Sequence, residues 1–337
     1  MTCPTTEVEL EELLATPSEA DRAALANLSG KLLLLGAGGK MGPSLARLAK
    51  RAAPHLNVIA VARFSEVHLR PELEREGIET IASDLLAYHA LDQLPDAAHV
   101  IYLAARKFGT AGDASPTWAT NTVLPGLVAQ RYATSRIISW STGNVYPLVP
   151  ISGGGATEDT PLAPVGEYGQ SALGRERVFE YYSRTQATPV LMLRLNYAVD
   201  LRYGVLVDIA RQVQAGQAID LTMGHVNVIW QGDANSICLR AFRLCATPPA
   251  ALNITGVETL QVKQLAEAIG QRLGVTPAFT GTPAETALLS NARLSEELFG
   301  PPRVSTETLL DWVVQWLTQG GRLLAKPTHF AVRDGKF

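Results

Sequence analysis

The residues best placed for binding chemistry are three glycines, Gly36, Gly39 and Gly42, spaced three apart between an apolar run and a helical pattern. Such glycines permit a positive φ in a tight turn and let the backbone approach a diphosphate, which then lies at the positively polarised N-terminus of the following helix. Pro43 suits the first turn of that helix. The spacing predicts a nucleotide-binding turn, although an ordinary strand-to-helix connection is an alternative that the other elements must decide.

Neither the cysteines nor the histidines show the spacing of a metal site. Cys3, Cys238 and Cys245 are odd in number and lack a C-x-x-C pair, and the six histidines show no H-E-x-x-H pattern. We therefore expect no metal and no disulfide framework.

Composition limits the classes of partner. The 337 residues are 47% hydrophobic with a formal net charge of −3, and no basic run occurs. This argues against nucleic acid or an anionic membrane surface as the partner. No stretch of 18 or more apolar residues exists, and the first residues are acidic rather than basic and then apolar, so we expect a cytoplasmic protein.

The elements that must position the glycine turn alternate between strands and helices. Apolar segments rich in β-branched residues predict seven strands, at 31–36, 57–63, 77–84, 98–105, 136–141, 188–195 and 250–254. Helical patterns separate them, with later helices expected around 205–215, 233–246, 261–273 and 305–319. Alternation of this kind predicts an α/β fold with a doubly wound parallel sheet of about seven strands.

Four regions follow from this order. We expect an N-terminal helical extension at 1–29, a nucleotide-binding domain at 30–195, a smaller lobe at 196–325 interleaved with the last strand, and a tail at 326–337. The extension either caps the sheet edge or meets a second subunit. The tail either wraps the body, reaches a partner subunit or is disordered.

Six motifs in sequence resemble the extended short-chain dehydrogenase/reductases of the NAD-dependent epimerase/dehydratase type, over about residues 30 to 320. They are Gly36-x-x-Gly39-x-x-Gly42, Asp84-Leu85, Tyr102-Leu-Ala-Ala105, Asn121-Thr-Val, Ser141-Thr-Gly-Asn-Val-Tyr146 and Tyr168-Gly-Gln-Ser. The resemblance implies a Rossmann-like fold with a C-terminal substrate lobe.

The resemblance also implies catalytic roles. Thr142 would orient a substrate hydroxyl, and Tyr168 would be the general acid/base that moves the hydroxyl proton while hydride passes to or from nicotinamide. The family pattern Y-x-x-x-K is broken, because Ala172 stands where the lysine belongs.

Three explanations of the missing lysine stay open. Arg175 or Lys107 supplies the cation; or the chemistry needs only a proton donor; or the protein binds the nucleotide without turnover. Arg175 has the alternative of a solvated charge paired with a neighbouring glutamate, whereas Lys107 follows the fourth strand at its ligand-facing end.

Cofactor choice depends on the end of the second strand. Arg63 there, with Lys40 as a second cation, favours the 2′-phosphate of NADP over NAD, while Glu66 would serve NAD if the strand continued. Asp84 would contact adenine or cap a helix. The residues expected to bind the cofactor are Gly36, Gly39, Lys40, Met41, Gly42, Arg63, Asp84, Leu85, Leu103, Ala104, Ala105, Asn121 and Tyr168.

For the substrate we expect contacts from Lys107, Asn144, Asn196 and Trp230, the last with the alternative of a core position. The predicted function is an NAD(P)-dependent oxidoreductase or epimerase/dehydratase acting on a sugar, sugar acid or nucleotide-sugar. The competing hypothesis is a dinucleotide-binding sensor or interaction protein that has lost catalysis. A homodimer is the family's habit.

Overall fold

Seven parallel strands form the central sheet of the computed structural model, which describes residues 2–109, 112–324, 326 and 328–336. The strand order is β7-β6-β5-β4-β1-β2-β3, so the chain crosses over beside β1. The strands are β1 (Lys31–Leu35), β2 (Asn57–Ala62), β3 (Glu79–Ala82), β4 (His99–Tyr102), β5 (Arg136–Thr142), β6 (Val190–Leu195) and β7 (Ala250–Ile254). The predicted doubly wound Rossmann-like sheet is confirmed.

Helices cover both faces of this sheet, which explains why its strands are apolar on both sides. The helices are α1 (Glu7–Leu14), α2 (Glu19–Leu25), α3 (Gly42–Ala52), α4 (Leu69–Arg75), α5 (Ser115–Trp118), α6 (Leu124–Arg131), α7 (Gly166–Gln186), α8 (Val205–Gln214), α9 (Gln231–Arg240), α10 (Val262–Leu273), α11 (Arg293–Phe299) and α12 (Thr306–Thr318). In β1, Leu32 and Leu34 pack into the core shared with α3 and α9, whereas Leu33 and Leu35 pack toward α6 and α7.

The N-terminal extension forms two helices rather than one. Capping boxes start both, with Thr6 and Glu9 at α1 and with Ser18 and Asp21 at α2. The two helices pack against α3 and α9 in one helical layer. Of the two alternatives for the extension, the cap on the sheet edge is therefore wrong, because the edge strands are β3 and β7.

A second core lies between α8, α10 and α12, beyond the carboxyl end of β6. Two-residue strand pairs connect it to the rest, for example Ala198–Val199 beside Ile229–Trp230. The chain then returns through β7 to the main sheet beside β6. This return places α8 before β7 in the chain and α10 and α12 after it.

No helix in the described part of the chain has the length and apolarity needed to cross a bilayer.

Candidate functional site

Two cavities lie side by side along the carboxyl ends of the strands and share the glycine turn. The first, of about 310 Å³, is lined by Thr142, Asn144 and Tyr168, and is called here the Tyr168 cavity. The second, of about 520 Å³, is lined by Arg63 and Asp84, and is called the Arg63 cavity. Both include Gly36, Gly39, Leu103 and Ala105. A long ligand can therefore cross the turn and reach both cavities, as expected at the switch point of such a sheet.

The glycine turn leaves no room for side chains at two positions. Gly36 has φ +91°, and a Cβ there would lie 2.6 Å from the backbone nitrogen of Ala104. A Cβ at Gly42 would overlap the carbonyl of Ala37. Among the described residues no side chain caps the N-terminus of α3, which begins at Gly42. The Gly42 N–H donates to the Gly39 carbonyl at 3.3 Å and Pro43 has no N–H, so the cradle would fit a dinucleotide diphosphate through the close backbone approach at the glycines and the positive end of α3.

The Arg63 cavity contains most of the residues expected around the far end of the cofactor. β2 ends at Ala62, so Arg63 is the first residue beyond the strand, and Glu66 lines the same cavity. Leu85 and Ala104 line it too.

Asp84 also lines the Arg63 cavity. Its Oδ1 accepts a hydrogen bond from the Leu86 N–H at 3.1 Å. Residues 85 and 86 form a turn, so the alternative of a helix cap at Asp84 is wrong.

Lys40 does not join Arg63. Its side chain lines the Tyr168 cavity, and its ammonium lies 2.8 Å from the centroid of the Tyr203 ring. The prediction that Lys40 assists Arg63 with a 2′-phosphate is therefore wrong. The direction of the Lys40 side chain is set by a tertiary contact. The lobe brings the Tyr203 ring to the ammonium, and the face of an aromatic ring attracts a cation.

The residues expected at the reacting end meet in the Tyr168 cavity. Tyr168 lies in the first turn of α7 and is 8% exposed; Thr142 ends β5 and is 6% exposed. The Asn144 Nδ2 donates to Thr142 Oγ1 at 3.0 Å. Asn196, which follows β6, donates to the Leu288 carbonyl at 3.2 Å and lines the same cavity, as Met41 also does. Hydroxyl and amide groups therefore converge where a polyhydroxylated molecule could bind.

Lys107 is the cation that the structure brings to Tyr168. Its ammonium lies 5.7 Å from the centroid of the Tyr168 ring. Burial lowers the pKa of Lys107 to about 8, because a partly desolvated ammonium is less stable than one in water. A group with this pKa changes its charge just above neutral pH.

Arg175 lines the same cavity but is held inside it. It is 2% exposed, and it donates from Nη1 to the Trp140 carbonyl at 2.6 Å and from Nη2 to Asn121 Oδ1 at 2.9 Å. The alternative of a solvated helix charge is therefore wrong. Two helical turns separate Arg175 from Tyr168, which places both on one face of α7.

Asn121 does not reach either cavity. It is fully buried and binds the Arg106 backbone through both amide atoms, as well as Ser171 and Arg175. The prediction that Asn121 contacts the cofactor is wrong, because all its hydrogen-bonding capacity is used inside the protein. It ties the loop after β4 to α7.

Ala172 is fully buried in an apolar cluster with Val145, Tyr146 and Ala156. The Ala172 side chain thus packs against protein and does not line the Tyr168 cavity. The position of the family lysine is therefore occupied by a small, closely packed side chain.

Trp230 lies in the core and not in the site. It is 1% exposed and packs edge-on against Trp312 at a centroid distance of 5.7 Å. The prediction of a substrate contact is wrong, because α12 covers the ring. The next residue, Gln231, does line the Tyr168 cavity and donates to Ser44 Oγ at 2.9 Å.

Further cavity residues carry no motif by which sequence alone could find them. Phe108, Tyr197, Tyr203 and Thr328 line the Tyr168 cavity, and Lys326 lines the Arg63 cavity. Tyr203 lines the same cavity as Tyr168. Burial is the main cause that raises the pKa of Tyr203, and its interactions with Asp208 and Tyr168 raise this pKa further.

The tail crosses the cleft. Thr328 donates from its N–H and its Oγ1 to Asp208 Oδ2 at 2.7 and 2.6 Å, and Phe330 is buried in the lobe core. Further on, Gly335 packs against Gly166, the first residue of α7, so closely that neither could carry a side chain. Of the three alternatives for the tail, the described residues follow the first and wrap the body.

In the described residues no group of three or more His, Cys, Asp or Glu side chains is arranged as a metal site.

Comparison with known proteins adds a family. The profile of the NAD dependent epimerase/dehydratase family matches residues 32–224. A search of curated proteins finds no match.

Solved structures share the fold at 18% identity. A UDP-glucose 4-epimerase from Thermotoga maritima, in complex with UDP-glucose, has a TM-score of 0.70, with 86% of this chain and 99% of that chain covered. A UDP-glucuronic acid 4-epimerase from Bacillus cereus, in complex with NAD, has a TM-score of 0.72 and coverages of 86% and 99%. A dTDP-glucose 4,6-dehydratase from Bacillus anthracis, in complex with NAD, has a TM-score of 0.72 and coverages of 86% and 97%.

Proposed function

Because the chain belongs to the NAD-dependent epimerase/dehydratase family, we propose that it oxidises or reduces a sugar, sugar acid or nucleotide-sugar, with Tyr168 as acid/base. Its relatives are NAD(P)-dependent enzymes of the short-chain dehydrogenase type, and the chain is an enzyme of this class. The observation that carries the proposal is that Tyr168, Thr142 and Asn144 line one cavity that continues across the glycine turn.

The side chains divide the chemistry between them. When bound, the nicotinamide ring would accept or supply the hydride. Thr142 and Asn144 bind and orient the reacting hydroxyl, and the Tyr168 hydroxyl takes its proton during oxidation or returns it during reduction. A buried setting, with Tyr168 at 8% and Thr142 at 6% exposure, keeps water away from the exchange.

A positive charge beside Tyr168 would favour its phenolate. A nearby cation stabilises negative charge on an oxygen through electrostatic attraction. Lys107 has the position for this role, with its ammonium 5.7 Å from the ring centroid. In the proposal Lys107 replaces the lysine that Ala172 lacks, and Arg175 supports the cavity wall through Trp140 and Asn121.

The preferred cofactor in this proposal is NADP. Arg63 directly follows β2 and is exposed in the Arg63 cavity, where a guanidinium can bind a 2′-phosphate through two hydrogen bonds. Glu66, on the same cavity, is the residue that would favour NAD instead.

The division of labour between regions is also part of the proposal. Residues 30–195 would hold the cofactor, and the lobe at 196–325 would close over the substrate. A cytoplasmic location stays a prediction.

Replacing Tyr168 by phenylalanine tests the mechanism. We expect Tyr168→Phe to lower kcat by about 100-fold or more, the range of one acid/base group, with cofactor affinity unchanged. Turnover would be screened with NADPH and NADH over oxidised sugars and sugar acids, with Tyr88→Phe, a change at an exposed tyrosine, as the control. An unchanged rate would show the mechanism to be wrong. Tight NADPH binding without any turnover would favour the sensor hypothesis.

We also propose a homodimer, formed through α6 and α7. Leu127 on α6 and Tyr181 on α7 are 42% and 61% exposed, and Val123, the residue before α6, is 57% exposed. Since α6 packs against α7, these apolar side chains belong to neighbouring segments. Exposed apolar patches of this kind often mark subunit contacts. Sedimentation velocity should give a dimer that Leu127→Glu dissociates; a wild-type monomer would reject the proposal.

A further inference from the structure

The Tyr168 cavity is rich in basic side chains. Lys40, Lys107 and Arg175 all line it, and no aspartate or glutamate is among its described lining residues. The three come from the glycine turn, the loop after β4 and the middle of α7. Burial and repulsion between basic groups make the charged form of Lys40 less stable, and a bound anion would favour that form.

Lys40 and Lys107 meet around one aromatic ring. Their ammonium nitrogens lie 5.8 and 5.5 Å from the centroid of Phe108. Lys40 also lies over Tyr203, a residue of the lobe. The two ammonium groups thus face the part of the cavity between the lobe and Tyr168.

The carboxylates nearest to Lys40 are engaged elsewhere. Asp200 is paired with Arg202 at 2.7 Å, and Asp208 accepts two hydrogen bonds from Thr328. Their charges only partly offset the burial of Lys40 and the repulsion from Lys326 and Lys107, and the pKa of Lys40 falls to about 7. A lysine in this condition gains from a further negative charge.

We propose that Lys40 and Lys107 form a subsite for an anionic group of the substrate, a carboxylate or a phosphate, beside Tyr168. The proposal rests on the proposed function and makes it narrower: the substrate is an acidic sugar derivative and not a neutral sugar. The cavity of about 310 Å³ would also hold the nicotinamide end of the cofactor, so the space that is left suits a small acid.

The diphosphate of the cofactor is the competing anion for these lysines. Its cradle is the glycine turn, where Gly36 and Gly42 leave space for backbone approach and the N-terminus of α3 is not capped by a side chain in the described residues. The Lys40 ammonium instead lies over Tyr203, in the Tyr168 cavity. We therefore assign Lys40 to the substrate and leave the diphosphate to the backbone.

Binding of matched sugars to protein saturated with NADPH tests the subsite. D-glucuronate, D-glucose 6-phosphate and D-glucose differ mainly in the anionic group, and inorganic phosphate is a probe that does not depend on ring stereochemistry. Trp140 lines the cavity and can report binding through its fluorescence, with calorimetry as the second readout. We expect at least one of the anionic probes to bind about tenfold or more tightly than glucose.

Variants identify the lysines. Lys40→Gln and Lys107→Gln should each weaken the anionic probe about tenfold while NADPH affinity stays within about twofold. Lys40→Arg should retain binding. The control is Lys263→Gln, an exposed lysine on α10 that pairs with Glu267. Thermal melting would show whether each variant is folded. If Lys40→Gln does not fold, Lys40→Arg, which keeps the charge, still tests the subsite.

Three results would overturn the subsite. They are anionic probes that bind no better than glucose, an unchanged probe affinity in either glutamine variant, and a loss of affinity for NADPH but not for the probe in Lys40→Gln. A failure of the proposed function looks different, because turnover would then be insensitive to Tyr168→Phe whatever the charge of the substrate.

Discussion

The ammonium of Lys107 lies 5.7 Å from the centre of the Tyr168 ring, although 61 positions separate the two residues in the chain (168 − 107 = 61). The loop after β4 and the first turn of α7 meet here because parallel strands end at one edge of the sheet. A cation therefore reaches the proposed acid/base from a different element than the family pattern would use.

Removal of this charge should slow the reaction. We expect Lys107→Gln to lower kcat by about 10- to 100-fold, since negative charge on the Tyr168 oxygen would lose a nearby cation. Steady-state kinetics would measure this, with Lys263→Gln as the control. A full rate in Lys107→Gln would leave Arg175 as the candidate cation.

The pH profile gives the sign of the effect. The pKa of Lys107 is lowered to about 8, so its positive charge is present below pH 8 and is lost above it. The rate that depends on this charge should therefore fall as pH rises through about 8, and Lys107→Arg should move that fall to higher pH because arginine stays charged. If the rate of Lys107→Gln fell through the same pH range, the fall could not be assigned to Lys107.

Arg63 should determine the choice between the two cofactors. Arg63→Ala is expected to raise the KM for NADP by about tenfold, in line with ~1.5 kcal/mol for hydrogen bonds to a charged group, and to change the KM for NAD by less than about twofold. The ratio of kcat/KM for the two cofactors is the measurement. Glu66→Gln serves as the matched change on the same cavity and should not weaken NADP; equal losses for both cofactors in Arg63→Ala would disprove the role.

A lysine introduced at position 172, where the family pattern has one, should not raise the rate of the reaction. Ala172 is fully buried among Val145, Tyr146 and Ala156, so Ala172→Lys inserts a long charged side chain into a packed apolar cluster. We expect a loss of about 2–4 kcal/mol in the free energy of unfolding and no rise in rate. Chemical denaturation and kinetics would measure both, with Ala172→Met separating size from charge. A large rate increase in a stable Ala172→Lys protein would contradict the role of Lys107.

The tail should affect cofactor binding. Lys326 lines the Arg63 cavity and Thr328 the Tyr168 cavity, so the tail bridges both halves of the cleft. Thr328→Val removes one of two hydrogen bonds to Asp208, and we expect faster proteolysis after residue 324 and about threefold weaker NADPH binding. Limited proteolysis with and without NADPH would test this against Thr318→Val at the exposed end of α12. Identical cleavage and affinity would rule out a role for the tail.

The sequence by itself determined the sheet and the shared cradle, because both depend on local patterns. Seven apolar segments predicted the seven strands, and the spacing of Gly36, Gly39 and Gly42 predicted a turn that the positive φ of Gly36 requires. The positions of Thr142, Asn144 and Tyr168 in one cavity also agree with the motif order.

Only the tertiary structure decided which cations and amides face that cavity. The Lys40 ammonium lies over Tyr203, Asn121 uses its amide group in internal hydrogen bonds, and Trp230 packs against Trp312. A local sequence pattern predicts none of these contacts. The lobe and the tail supply these neighbours from positions far along the chain. A side chain's direction depends on what packs against it, and that is set by long-range contacts, whereas strand and turn follow from adjacent residues.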